Sequence, residues 1–559
     1  MIPTTTLRIA TLACLAPIAL TACATAHANN GPTMTEVLLT SESGHKLASV
    51  DIAEFRPGQA EGVTVTVFPN RTKQTIDGIG TSFTESSAFV LAHLEPSLRR
   101  RVMERVYGKS GANFTLTRTH IGSCDFTVEG KYSYADDPDP DLSAFSIAPD
   151  TAGFDPATHP GVKDPSYDLL PMIREAMEIK RQQHDSELRI IASAWTAPPW
   201  MKDVGEWFVG MTPENNWQGT GGSLRPEHES TYADYLVRYL DAYADADVPI
   251  WGITPVNEPH GNSGQWESMH FSPESQNAFI KDHLGPKLAA SSHSDTRLLI
   301  YDQNRDDLDK WTDAILGDPE TAPYVYGVAV HWYASTFKVF EEAFERVNAR
   351  YPGVPIVHTE GCIDDLGKDA PEGIGDPIGF KESGWFQNDS FWWNPNATDW
   401  AYSAPWAGER VVDHPKYTPV HRYARNIIVS IDHWLTGWVD WNIVLDHHGG
   451  PNHVGNFCGA PIMIETASQD VYYTPIFHVL AQFSRTIRPG DQAVQTQTEL
   501  GSLNADSLHA CATINQRGLL SVQLLNTTKQ PVEYALQIGD HFAEITIPAN
   551  AVQTVRIRP

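Results

Sequence analysis

Pro249-Ile250-Trp251-Gly252-Ile253-Thr254-Pro255-Val256-Asn257-Glu258-Pro259 is a short apolar run closed by an amide, a carboxylate and a proline. It is too short for a helix and reads as a buried strand with polar chemistry at its C-terminal end. Pro355-Ile356-Val357-His358-Thr359-Glu360-Gly361 repeats the arrangement. Outward from these two, further short apolar runs lie at 77–83, 114–121, 189–195, 297–301, 325–332 and 437–444, which with 249–256 and 355–359 makes eight predicted strands. Amphipathic stretches at 85–106, 169–183, 232–246, 273–290, 306–316, 337–350 and 419–434 separate them. In one, Tyr232, Tyr235, Leu236, Tyr239, Leu240 and Tyr243 form a stripe at helical spacing. Strands alternating with helices imply a parallel sheet, and eight such units imply an α/β fold, a (β/α)8 TIM barrel with insertions. A doubly wound open sheet is the rival. No G-x-G-x-x-G follows the first strand, which weakens any dinucleotide reading.

Beyond residue 487 the helical period stops. Short strands are predicted at 519–525, 533–538, 542–547 and 551–557, and residues 63–67 alternate in the same way. The expected organisation is a barrel over 76–486 and a C-terminal β-sandwich over 487–559. Strands from 29–75 join it, so the all-β side domain is built from both chain ends. Residues 1–28 read as a signal peptide. Arg8 is the only charge before Cys23, and the chain from Ile9 to Leu20 is apolar or small. Leu20-Thr21-Ala22-Cys23 resembles a lipobox, and Ala26-His27-Ala28 offers an ordinary cleavage site. The expectation is an exported chain, a periplasmic or outer-membrane lipoprotein anchored through a lipidated Cys23, or alternatively a secreted one.

Among 559 residues, 40 Lys and Arg face 69 Asp and Glu, a net charge of −29. Such a chain has no general attraction for nucleic acid or anionic lipid, and no nucleic-acid partner is expected. Cys124, Cys362, Cys458 and Cys511 remain outside the signal, too few for a disulfide framework, and no C-x-x-C occurs. Asp446, His447, His448 and His453 invite a metal reading, but no metal-binding motif accompanies them. Loop polar contacts are the preferred reading, and neither metal nor cofactor is expected. The sequence sets no oligomeric state.

Glu258 and Glu360 follow strands four and seven directly. In a barrel they would face each other across the C-terminal mouth, where active sites lie. A carboxylate there is costly to bury without purpose. Two carboxyls about 5–5.5 Å apart are the apparatus of a retaining glycosidase, one attacking the anomeric carbon and the other serving as acid and then base.

Several motifs then resemble the family 30 glycoside hydrolases, the group containing lysosomal glucosylceramidase. They are Asp77-Gly78-Ile79-Gly80 with Phe83-Thr84-Glu85; Arg118 with Ser123-Cys124-Asp125-Phe126; and the stretch from Ser193 through Trp195 to Lys202. His331-Trp332-Tyr333, Gly437-Trp438-Val439-Asp440-Trp441-Asn442 and Gly450-Pro451-Asn452 complete the set. The resemblance implies Glu258 as acid/base and Glu360 as nucleophile. It implies Asn257 as the partner of the sugar 2-hydroxyl. Asp125, Trp195, Trp441 and Asn456 are implied to bind the glycone, and Arg118 and Tyr333 to orient the nucleophile. The implied substrate is a β-linked glycan or glycolipid, most simply a β-glucoside. A β-xyloside, β-fucoside or β-1,6-glucan are alternatives within the family, and a non-catalytic carbohydrate-binding surface lipoprotein is the alternative outside it. Two departures stand out. Glu85 occupies a position where the family usually has Asp. About 60 residues separate Glu360 from the last barrel helix, and they carry Trp385, Phe386, Phe391, Trp392, Trp393, Trp400 and Trp406. This insertion is read either as a cap over the mouth or as a packed hydrophobic lid.

Overall fold

The computed structural model describes residues 31–183, 188–363, 384–395 and 417–559. The signal segment with Cys23, and Trp400 and Trp406, lie outside the described residues. Eight parallel strands close into a barrel: Gly78–Thr81, Leu116–Ile121, Arg189–Ala194, Gly252–Thr254, Arg297–Asn304, Gly327–His331, Ile356–Glu360 and Leu435–Asp440. Closure joins the last strand to the first, with Gly437 opposite Gly78 and Asp440 opposite Thr81. Small residues let the neighbours approach: a Cβ on Gly437 would stand 3.3 Å from the Gly78 carbonyl oxygen at that seam, and one on Gly80 would stand 1.9 Å from the Leu116 carbonyl oxygen of strand two. Leu116, Ile191, Leu299, Ala329, Val357 and Val439, one residue from each of six strands, form an apolar cluster inside the barrel. The interior is thus filled, and chemistry is confined to the layer above it.

Two predicted helices divide where proline dictates. The stretch 85–106 is two helices, Glu85–Ala92 and Pro96–Tyr107. Pro96 starts the second and holds Glu95 extended, so one continuous helix is barred. The first opens where the Thr84 hydroxyl accepts from the Ser87 amide at 3.2 Å. The stretch 273–290 runs as Pro273–Phe279, a π turn Ile280–Leu284, and Gly285–Ala290. Pro286 offers no amide to the turn before it, and the ladder widens there.

A ten-stranded sheet stands beside the barrel. Its strands come from both chain ends: Thr33–Ser41, Ala48–Val50, Arg56–Pro57 and Thr64–Thr75 join six strands between Gln492 and Arg558. Val37, Val65 and Val67 pack with Val522, Leu536 and Val555 in one core, so the sheet folds across itself as a sandwich. Within 29–75 the sequence marks no separate strand at Thr33–Ser41, and Gln492–Glu499 is too polar to read as one. Their backbones are nevertheless paired, with Ala551–Arg558 and Thr64–Thr75 respectively. A three-stranded sheet, Val444–Asp446, Ile462–Glu465 and Asp470–Tyr473, and the helix Pro475–Thr486 were likewise not predicted.

Candidate active site

Arg118 sits on the second barrel strand with no exposed surface. A buried guanidinium needs partners for its donors. Nε donates to Ser193 Oγ at 3.0 Å, Nη2 to Asn257 Oδ1 at 2.6 Å and to Asp302 Oδ2 at 2.9 Å, and Nη1 to Glu360 Oε2. One side chain thereby ties strand two to the ends of strands three, four, five and seven.

Asp302 is the centre of this layer. Its Oδ2 accepts from Arg118, from Ser193 Oγ at 2.9 Å and from Thr254 Oγ1 at 2.7 Å. Its Oδ1 accepts from His331 Nε2 at 3.0 Å and Thr359 Oγ1 at 2.7 Å. Burial alone would raise this carboxyl, but the Arg118 guanidinium and His331 hold it well below the usual carboxylate range. His331 meets carboxylates at both ring nitrogens, Asp302 at one and Glu258 Oε1, at 3.2 Å, at the other. Both nitrogens must then donate, so the ring is an imidazolium. Burial works against that charge, but Glu360, Asp302 and Glu258 prevail and push it up to about 9.

Glu360 ends strand seven. Its Oε1 accepts from Tyr333 Oη at 3.0 Å and its Oε2 from Arg118. Burial raises this carboxyl, and His331 and Arg118 oppose the rise. Glu258 lies in the turn after strand four with φ 48, a left-handed conformation that costs a non-glycine residue about 1–2 kcal/mol. Its amide donates to the Asp302 carbonyl at 2.9 Å, which pins the strained turn. One oxygen of Glu258, one of Glu360 and a ring nitrogen of His331 all lie within 4.8 Å of one another. With its ring protonated, His331 bridges the two carboxyls electrostatically.

The remaining predicted residues gather at the same mouth. Asp125 Oδ2 accepts from Asn456 Nδ2 at 2.9 Å, while its buried Oδ1 has no hydrogen-bond partner among the described residues. Burial, with Glu360 adding to it, pushes the Asp125 carboxyl up to about 8. Such an orphaned oxygen is what a sugar hydroxyl would satisfy. Trp195 and Trp441 stack on each other with centroids 5.3 Å apart, under the Arg118 guanidinium at 4.8 and 5.7 Å, and Phe126 meets Trp441 edge-on. Each indole therefore gives one face to the other, and what remains for a ligand is ring edge and N–H. Asn257 Oδ1 is held by Arg118, which leaves its amide N–H2 as donor.

Cys362 is buried within 3.4 Å of Tyr333 Oη. His453 donates to Glu267 Oε2 at 3.0 Å, and the His447 and His448 rings lie 3.8 Å apart, tilted by 40°. The insertion aromatics within the described residues are packed. Trp385 Nε1 donates to the His447 carbonyl at 2.9 Å, Trp392 lies parallel to Trp385, and both are buried. Sequence reasoning missed Asp302, because the predicted strand five stopped at Tyr301 with the apolar run. It quoted His331 only as part of a motif.

The chain matches the Glycosyl hydrolase family 30 TIM-barrel domain over residues 76–376 and 398–487, and that family's β-sandwich domain over 492–555. It is 28% identical to lysosomal acid glucosylceramidase of Mus musculus, over 88% of this chain and 83% of that protein. It is 24% identical to endo-1,6-beta-D-glucanase neg1 of Aspergillus fumigatus, over 81% of this chain and 79% of that one. Among solved structures, SrfJ from Salmonella typhimurium shares the fold with a TM-score of 0.74 at 22% identity, covering 94% of this chain and 99% of that one. The endo-beta1,6-glucanase BT3312 does so with a TM-score of 0.69 at 20% identity, over 93% and 99%. A barrel with its β-sandwich, matched by both family domains, makes this chain a glycoside hydrolase belonging to glycosyl hydrolase family 30.

Proposed function

We propose that the chain is a retaining β-glycosidase acting on β-glucosidic bonds by double displacement. The observation that carries the reading is the pairing of Glu258 and Glu360 across the mouth, with Glu360 held by two donors, Arg118 and Tyr333. Those donors favour the carboxylate form, so Glu360 is the nucleophile. It attacks the anomeric carbon as Glu258, in its protonated form, gives its proton to the departing oxygen. Glu258, now a carboxylate, takes a proton from water, the water oxygen bonds to the anomeric carbon, and the bond to Glu360 breaks. One oxygen of each carboxyl within 4.8 Å of the other is closer than the roughly 6.5–9.5 Å of inverting enzymes, which supports the retaining reading. Asn257, Asp125, Asn456 and the indole N–H groups of Trp195 and Trp441 would hold the glycone hydroxyls.

β-Glucose is the favoured glycone, because both the glucosylceramidase and the endo-1,6-glucanase relatives are named for glucosyl substrates. Export, with lipidation at Cys23, belongs to the same proposal. Initial rates on nitrophenyl β-glucoside, β-xyloside, β-fucoside, a β-1,6-glucan and glucosylceramide test it. Glu360→Gln should abolish turnover of whichever substrate is cleaved, by about 10⁴-fold or more, a barrier increase of about 5 kcal/mol. Glu258→Gln should spare the glycosylation step for aryl glycosides with good leaving groups, and azide should restore their turnover. Near-wild-type rates in both variants would sink the assignment.

A further inference from the structure

His453 carries a contact set that the catalytic scheme does not use. Its ring lies in the loop after strand eight, within the turn that places Asn456. In that turn Asn452 Oδ1 accepts from the Asn456 amide at 2.9 Å, and Asn452 Nδ2 donates to the Asn456 carbonyl at 2.8 Å. His453 Nε2 faces Glu267 Oε2 at 3.0 Å, and Nδ1 faces the Thr127 carbonyl at 3.0 Å. Both faces are acceptors, so the ring donates at both nitrogens and is cationic. Glu267 has no exposed surface and belongs to the loop after strand four. Its other oxygen accepts from Ser123 Oγ at 3.0 Å and the Lys131 amide at 2.7 Å, in the loop after strand two. The fit is close: a Cβ on Gly130 would stand 2.2 Å from His453 Nε2.

The pair therefore joins three loops round one spot. Ser123 and Thr127 flank Asp125, and Asn452 and His453 set Asn456, so both members of the Asp125–Asn456 hydrogen bond hang from it. We propose that the His453–Glu267 ion pair is a positioning clasp that holds Asp125 and Asn456 at the spacing a glycone requires, and so governs substrate affinity rather than the chemical step. The inference rests on the glycosidase reading for its kinetic consequence only.

The charged groups that face this ring are few. Glu267 comes from the loop after strand four and Asp125 from the loop after strand two. Lys131 turns its ammonium instead onto the Phe208 ring at 5.4 Å, and the Glu85 carboxylate is taken up by the Val128 amide. Burial lowers the tendency of His453 to hold its proton, but Glu267 and then Asp125 outweigh it, so the group is raised above its ordinary value. The sign follows. The clasp is complete below the ordinary histidine value and is lost as pH rises through the raised one, when Nδ1 turns a lone pair toward the Thr127 carbonyl.

The test is His453→Gln and Glu267→Gln in the full chain. His453→Gln should raise KM about tenfold, the loss of one charge-assisted hydrogen bond, with a much smaller fall in kcat. It should also remove the alkaline rise of KM that the clasp predicts for the wild type. Independently of turnover, the His453 ring resonance, assigned by its loss in His453→Gln, should titrate at lower pH in Glu267→Gln than in the wild type. An unchanged KM profile in His453→Gln, or a His453 titration indifferent to Glu267→Gln, overturns the clasp. A wild type that cleaves no glycoside counts against the proposed function instead, and the ring titration still decides the clasp.

Discussion

Asp302 accepts hydrogen bonds from Arg118, Ser193, Thr254, His331 and Thr359 on two carboxylate oxygens. Asp302→Asn removes one anion and turns an acceptor into a donor that would face Arg118 or His331. Breaking a buried charge network by one partner costs about 3–5 kcal/mol. Denaturant unfolding should show a loss of that order, with activity falling in the variant that still folds. His331 adds a pH signature. Its value is raised to about 9, so the stabilisation it gives is complete below the ordinary histidine value near 6.5 and disappears as pH passes about 9. The unfolding free energy should therefore fall as pH passes about 9, and His331→Gln should flatten that fall. The two carboxyls at Glu258 and Glu360 were legible because each closes an apolar strand. Arg118 and Tyr333 were legible only through family motifs. Asp302 was not, because a carboxylate one residue past an apolar run looks like the start of a loop. Only the parallel register, which pairs Val330 with Gln303 and His331 with Asn304, extends that strand across it.

Elements show the same division between what periodicity reveals and what tertiary context decides. Alternation of strands and helices was readable, because each strand is buried on both faces and carries an apolar run even where its end turns polar. Polar strands such as Gln492–Glu499 were not, since their stability comes from neighbours supplied at long range. Proline at 96 and 286 was visible in the sequence, and only its power to divide those helices was underweighted. The segment after strand three, in which Val209 pairs with Thr220, is held by one buried lysine, whose pKa burial lowers to about 7. Lys202, with no exposed surface, donates from Nζ to the carbonyls of Trp207 at 2.7 Å, Gly221 at 2.9 Å and Ser268 at 3.2 Å. Lys202→Met keeps the bulk and leaves three carbonyls short of a donor, at about 1–3 kcal/mol for each acceptor that stays buried. Limited thermolysin digestion should then cut between 203 and 222 faster than in the wild type, while the rest of the barrel resists as before. Between barrel strands one and two the cost is steric. Gly80→Ala meets the Leu116 carbonyl, backbone that cannot yield as a side-chain end can. The unfolding free energy should drop by more than the 1–3 kcal/mol or so typical of core overpacking, read from denaturant unfolding.

At the scale of the whole molecule, the barrel and the folded sheet share a boundary too well joined to melt separately. The helix Pro475–Thr486 lies between them. On its barrel side, Ser484 Oγ reaches the carbonyls of Ile79 at 3.3 Å and Asn113 at 3.1 Å. On its sheet side, the buried Gln482 accepts from Thr40 Oγ1 at 2.7 Å and donates to Thr554 Oγ1 at 3.0 Å and the Val552 carbonyl at 3.2 Å. Cys511, Leu525 and Val552 of the sheet belong to the same apolar cluster as the barrel helices. First and last strands of the chain are thus pinned to the barrel through one amide. Two bodies coupled by a buried polar pin inside a continuous apolar contact should unfold together. Calorimetry of the wild type should give one transition whose van't Hoff enthalpy equals the calorimetric one. Gln482→Ala leaves Thr40 and the Val552 carbonyl without this partner and opens a small void, a loss of about 2–4 kcal/mol. Because that loss falls on the coupling itself, the variant should show the transition broadening or splitting, with the sheet melting first. A single sharp transition at an unchanged midpoint in Gln482→Ala would mean that the apolar contact alone carries the coupling.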